Sequence, residues 1–262
     1  KKTSNLKILH VTNFNERHDG RLFFNTGRRI NNGFIRLNHS TLDFSDRDII
    51  KHYKNINDLQ GSKSLNIKLI RVVENYKPNL IVFGHADKID EKTLIFLKEN
   101  YPNIKLVQWF LDRMDGEWEK NKSRFLAKIE YMDTNFITTS PNVLKFLPTN
   151  KKIYFIPNPA DPSFEILNNY ENNSCIFDVF FALSHGVHRG ILKKGKYDER
   201  EKFISHLIQM TPNIKFDVYG INKIQPIWAD SFYKSLTRSK MAINLSQGLP
   251  IKHYSSDRIT QL

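Results

Sequence analysis

Short apolar runs alternate with amphipathic stretches and polar breaks along most of this chain. Residues 6–11 (LKILHV) read as a strand, 12–20 as a polar loop, and 21–32 as a helix closed by Asn32-Gly33. A more polar strand is expected at 38–44. Leu65, Leu69, Ile70, Val73 and Tyr76 fall at helical spacing, and Pro78 stops that helix before a strand at 80–84. Asp90 caps a helix running to Tyr101, and 104–111 is again a strand. Trp118, Phe125, Ile129 and Met132 share one face of the next helix. A strand at 135–138, a short helix at 142–147 and a strand at 153–156 follow.

Pro157, Pro159 and Pro162 then forbid regular structure, and an Asn-rich polar run covers 168–174. Alternation restarts with an apolar strand at 177–183, a basic glycine-bearing loop at 184–196 and a helix at 199–210. A strand at 214–218 and a helix at 228–239 complete the pattern. Strand–helix alternation predicts parallel sheets covered by helices, hence an α/β fold of two Rossmann-like domains. The expected division is 1–157, a linker at 158–176, and 177–262. About three strands are legible in the second domain.

The last stretch carries the most chemistry. Residues 241–245 (MAINL) read as a strand buried on both faces. Gly248 and Pro250 break the chain, and Ser255-Ser256-Asp257 supplies N-cap residues before Arg258-Ile259. A helix N-terminus after a parallel strand suits an anion, because its free N–H groups and dipole both favour negative charge.

Composition narrows the classes. The 262 residues are 40% hydrophobic and 12% aromatic, enough for a real core. Cys175 is the single cysteine, which excludes an internal disulfide or a cysteine zinc cluster and suits the cytoplasm. No apolar run is long enough to span a bilayer, and the first residues lack a signal-peptide pattern. The net charge of +13 implies an anionic partner. Its basic residues are scattered, with only short runs such as Arg28-Arg29, Lys151-Lys152 and Lys193-Lys194. No nucleic-acid-binding motif is present, so nucleic acid is not the expected partner. No G-x-G-x-x-G follows the first strand, so a dinucleotide cofactor is not expected either.

Asn244-Leu245, the glycine loop and the Ser255-Ser256-Asp257-Arg258 helix start together resemble the donor-site motif of bacterial CgeB-type (spore-maturation-protein-like) glycosyltransferases of GT-B fold. The family often has an acid where Gln261 stands here. The resemblance implies a metal-independent enzyme that transfers a sugar from a nucleotide-diphosphate donor to a hydroxyl of a glycan, lipid-linked or surface-polysaccharide acceptor. It also implies a second domain of about twice the strands seen here, so that domain reads as incomplete, and a base on the first domain facing the cleft. Asp19, His18 and His85, at strand exits, are the candidates. Donor contacts are expected from Arg189, Tyr219, Gly220, Asn244, Ser246, Lys252, Ser255, Ser256 and Arg258. Arg258 would neutralise the diphosphate leaving group. His185 and His188 lie three apart but lack a third ligand, so no metal is expected. The basic charge also admits a peripheral contact with an anionic membrane face. The alternative reading is a non-catalytic nucleotide- or nucleic-acid-binding α/β protein.

Overall fold

The computed structural model describes residues 5–116, 118–172, 174–183 and 199–262. The chain separates into two compact units, Lys1–Asp161 with Pro250–Asp257, and Pro162–Leu249 with Arg258–Leu262.

The first unit is built on strands β1 (Lys7–Thr12), β2 (Ser40–Ser45), β3 (Leu80–Gly84), β4 (Lys105–Phe110), β5 (Thr134–Ile137) and β6 (Ile153–Phe155). All neighbours are parallel, in the order β2-β1-β3-β4-β5-β6. Helices α1 (Thr26–Arg36), α2 (Asp46–Tyr53), α3 (Ser62–Tyr76), α4 (Glu91–Asn100) and α5 (Glu119–Ile129) make the crossovers. Alternate residues of each central strand feed two cores. Leu9, Val11, Ile81, Phe83 and Leu106 pack on Leu65, Leu69 and Val73 of α3 and on Leu94 and Leu97 of α4. Ile8, Val82 and Trp109 face the other way, toward Ile30 and Phe34 of α1. Burial on both faces explains why these strands read as nearly unbroken apolar runs. Strand β2 lies at the edge, which explains its polarity.

Several expectations shift. The helix expected at 21–32 begins at Thr26, because Asn25 is its cap and accepts the Arg28 N–H at 3.1 Å. The Asn25 side-chain amide also donates to the carbonyls of Phe14 and Leu22, which holds 21–25 as turns. Only a 3-10 turn, Pro141–Val143, forms where a helix was expected at 142–147. Helix α2 had no counterpart in the sequence reading.

The second unit holds β7 (Phe177–Ala182), α6 (Glu199–Met210), β8 (Phe216–Tyr219), α7 (Ala229–Leu236) and β9 (Ser239–Ala242). Its parallel sheet runs β8-β7-β9, with Phe180 packed on Phe232 and Leu236 of α7 and Phe181 on Ile204 of α6. The strand expected at 241–245 to be buried on both faces is instead an edge strand, with Met241 61% exposed.

The expected domain limits also need correction. Pro162 already belongs to the second unit, and Pro250–Asp257 returns to the first. There Ile251 packs with the Phe110, Phe125 and Ile137 cluster, and the Lys252 carbonyl accepts the Ser140 N–H. Asn158 donates to the Ser255 carbonyl and hydroxyl at 3.0 and 3.1 Å.

Candidate functional site

A parallel sheet leaves its loops and ligands at the carboxyl ends of its strands, where the chain order switches sides. In the first unit that switch falls between β1 and β3. A cavity of about 400 Å³ lies there, lined by the exits of β1 (Thr12), β3 (Gly84, His85) and β4 (Asp112). The start of α1 and the buried Asp46 also line it, as do Trp109, Arg47 and Arg124. Tyr254, Ser256 and Asp257 of the returning segment complete the wall.

The β3 exit is tightly built. The place of a Cβ on Gly84 is taken by the Trp109 indole and the Thr12 hydroxyl, which itself donates to the Gly84 carbonyl at 2.9 Å. His85 and Ala86 then both adopt left-handed backbone, with φ of 60° and 41°. Side-chain-bearing residues pay for that conformation, and it concentrates at functional sites. The turn puts the His85 ring 4.5 Å from Phe110, edge-on to Trp109.

Charge in the pocket is largely paired. Arg124 binds Asp87 at 2.8 Å and Asp112 at 3.1 Å, and Arg47 also binds Asp87 at 3.1 Å. Burial works against the Asp87 charge, but the Arg124 bond holds its carboxyl below the usual range. Burial pushes His85 down to about 4; Asp112 opposes the shift and Arg124 adds to it. Asp46 is different. It is 1% exposed, opens α2, and accepts the Arg47 N–H at 2.7 Å. Burial raises its carboxyl to about 6, against the Arg47 hydrogen bond and charge. Burial, then the Asp112 and Asp257 charges, push Tyr254 up to about 12.

Of the proposed bases, only His85 lines this pocket. Asp19 is exposed and left-handed, at the end of the 3-10 turn Glu16–His18, where its N–H bonds the Glu16 carbonyl. That is turn chemistry. His18 stands 3.5 Å from Arg21, and burial followed by Arg17 and Arg21 lowers its pKa. Asp48 pins this loop by accepting from the N–H groups of Glu16 and Arg17 and from the Arg17 guanidinium.

The proposed donor residues divide between the units. Ser256 lines the first unit's pocket, with Ser255 and Lys252 on the same segment. Asn244 and Arg258 lie in the second unit, joined by a 3.2 Å hydrogen bond, as does Ser246. Tyr219 packs against Phe180, and its hydroxyl pairs with Ser235 at 3.1 Å, so it serves the core edge. Gly220 has a φ of 75°, and the Leu183 carbonyl fills the place of its Cβ. Arg189, His185 and His188 lie outside the described residues. The expected helix after Ser255 is a four-residue 3-10 turn, Asp257–Thr260, too short to offer the aligned N–H groups of a helix terminus.

Sequence reasoning missed Asp46 and Arg124. Asp46 follows a weakly patterned edge strand, and Arg124 sits mid-helix, so neither carries a local signal. Among the described residues, no group of three or more His, Cys, Asp or Glu is arranged to hold a metal ion. No described helix is long and apolar enough to cross a membrane.

No family model matches the chain, and no curated protein matches its sequence. Similar solved structures include UDP-GlcNAc 2-epimerase from Neisseria meningitidis bound to UDP-GlcNAc. It is 13% identical with a TM-score of 0.44, over 90% of this chain and 76% of that one. The glycosyltransferase SnogD from Streptomyces nogalater is 10% identical with a TM-score of 0.41, over 94% of this chain and 72% of that one. Another UDP-N-acetylglucosamine 2-epimerase is 9% identical with a TM-score of 0.41, over 93% and 70% of the respective chains.

Proposed function

We propose that the chain is a GT-B-type glycosyltransferase of the CgeB kind, moving a sugar from a nucleoside-diphosphate donor to a hydroxyl acceptor. The observation that carries this reading is the first unit's pocket at its strand-order switch. It combines hydroxyl, amide, carboxylate and guanidinium groups with the rings of Trp109 and Tyr254. Such a lining suits a polyhydroxylated acceptor, whose hydroxyls need paired hydrogen-bond partners and whose ring faces pack on aromatics. The resemblance at Asn244, Ser255, Ser256 and Arg258 supports a nucleotide-sugar donor. In the second unit Asn244, Ser246 and Arg258 are the proposed donor contacts. A glycan or lipid-linked acceptor and a position at the inner membrane face belong to the same reading.

The test is a panel of UDP-, GDP- and dTDP-sugars with assay of released nucleoside diphosphate, beside melting curves with the free diphosphates. One diphosphate should raise the melting temperature, since ligand at a hundred times Kd adds about 2.7 kcal/mol. The matching sugar donor should be turned over. A chain stabilised by no diphosphate and releasing none would end the reading. Stabilisation without turnover would favour a non-catalytic nucleotide-binding protein.

A further inference from the structure

We propose that Asp46 is the proton acceptor of the first unit's pocket, taking the proton of the acceptor hydroxyl as that oxygen attacks the donor. This rests on the transferase reading above and assigns its base to a residue outside the Asp19, His18 and His85 set.

Asp46 lines the cavity and is almost fully buried. One of its oxygens takes the Arg47 N–H, and the described residues form no other hydrogen bond or ion pair to it. Its neighbours differ: arginines engage both Asp112 and Asp87. The charged groups around Asp46 are Arg47 and Asp48 on its own helix, Asp87 beyond β3, and Lys128 on α5. Burial dominates them and leaves the carboxyl at about 6. A group of that strength is ionised at neutral pH and still basic enough to accept a proton in a transition state.

His85 is fitted for a different task. Its Nδ1 faces the Arg124 guanidinium at 3.1 Å, which can only donate. When Nδ1 accepts that bond in preference to donating to Asp112 at 3.5 Å, the neutral ring carries its hydrogen on Nε2, which can then donate to a ligand oxygen. It positions the acceptor, and Asp46 deprotonates it. In the step, the hydroxyl O–H breaks and its proton passes to Asp46. The freed oxygen pair bonds the anomeric carbon. The carbon–oxygen bond to the diphosphate breaks, and its pair leaves on the diphosphate.

The experiment compares wild type, Asp46→Asn and Asp46→Glu across pH 5–9, using whichever nucleoside-diphosphate sugar the wild type turns over. Asp46→Asn should lose at least about a hundredfold in kcat, keep its donor KM within about threefold, and lose the acid limb near pH 6. Asp46→Glu should recover part of the rate. Turnover by Asp46→Asn within about threefold of wild type, or an unchanged acid limb, would overturn the assignment while leaving the transferase reading intact. Absence of turnover and of diphosphate binding in the wild type would remove both. A carbon-13 carboxyl titration of the wild type decides the case if the variant fails to fold. Asp46 should protonate near pH 6, and protonation near the ordinary value of about 3.9 overturns the proposal.

Discussion

Arg124 Nη2 lies 3.1 Å from Nδ1 of His85, and Asp112 approaches the same nitrogen at 3.5 Å. The imidazole thus stands between a cation that favours its neutral form and a carboxylate that favours its charged form. Burial decides the contest, and the ring stays neutral until about pH 4.

That balance predicts a titration. Nitrogen-15 spectra should show His85 as the neutral Nε2–H tautomer at pH 6. In Arg124→Met its pKa should rise, because a lowering charge is gone and Asp112 remains. The folded pKa lies below the unfolded value of about 6.5, so His85 costs stability as pH falls from there through about 4. An unchanged titration in Arg124→Met would show that Arg124 does not bias the ring.

Asp46 should act in the opposite sense. Its folded pKa of about 6 exceeds the unfolded value, so the ionised carboxylate destabilises the fold above pH 6. Asp46→Asn keeps the acceptor for Arg47 and removes that charge. It should raise stability at pH 7–8 by up to about 3 kcal/mol, from two pKa units at 1.36 kcal/mol each. The gain should fade between pH 6 and 4. Urea unfolding at pH 4 and 8 reads both limits, and an equal effect at the two would contradict the buried charge.

Gly84→Ala places a methyl group inside the Trp109 indole and against Thr12. Overpacking of this kind costs about 1–3 kcal/mol. It should lower the melting temperature and change Trp109 fluorescence. Gly33→Ala, whose Cβ meets nothing nearby and whose site is within α1, should be neutral or slightly stabilising. Equal melting temperatures for the two variants would count against the close packing at the β3 exit.

Arg258 is bonded to Asn244 within the second unit. Under the donor-site proposal, Arg258→Ala should weaken nucleoside diphosphate binding by about tenfold to a hundredfold, and nucleoside binding much less. Calorimetric titration of both ligands checks this. Equal losses, with a lowered melting temperature, would assign Arg258 to structure alone.

The strand–helix alternation was legible in the sequence because it reports local burial. A strand covered on both faces must be apolar throughout, as in Leu80–Gly84, and a helix against a sheet must repeat its apolar residues, as Leu65, Leu69 and Val73 do. Strand-exit loops follow from that order, so His85 was within reach. Tertiary structure decided the rest. Asp46 meets Asp87 and Lys128 only after β2 and β3 flank β1, and α5 brings Arg124 to His85 from a distant part of the chain. Pro250–Asp257 reads as the loop and helix start of the second domain's donor site, yet it supplies Tyr254 and Ser256 to the first unit's pocket. Periodicity records which face of an element avoids water. It does not record which distant charges that burial brings together, and their desolvation sets the chemistry of this pocket.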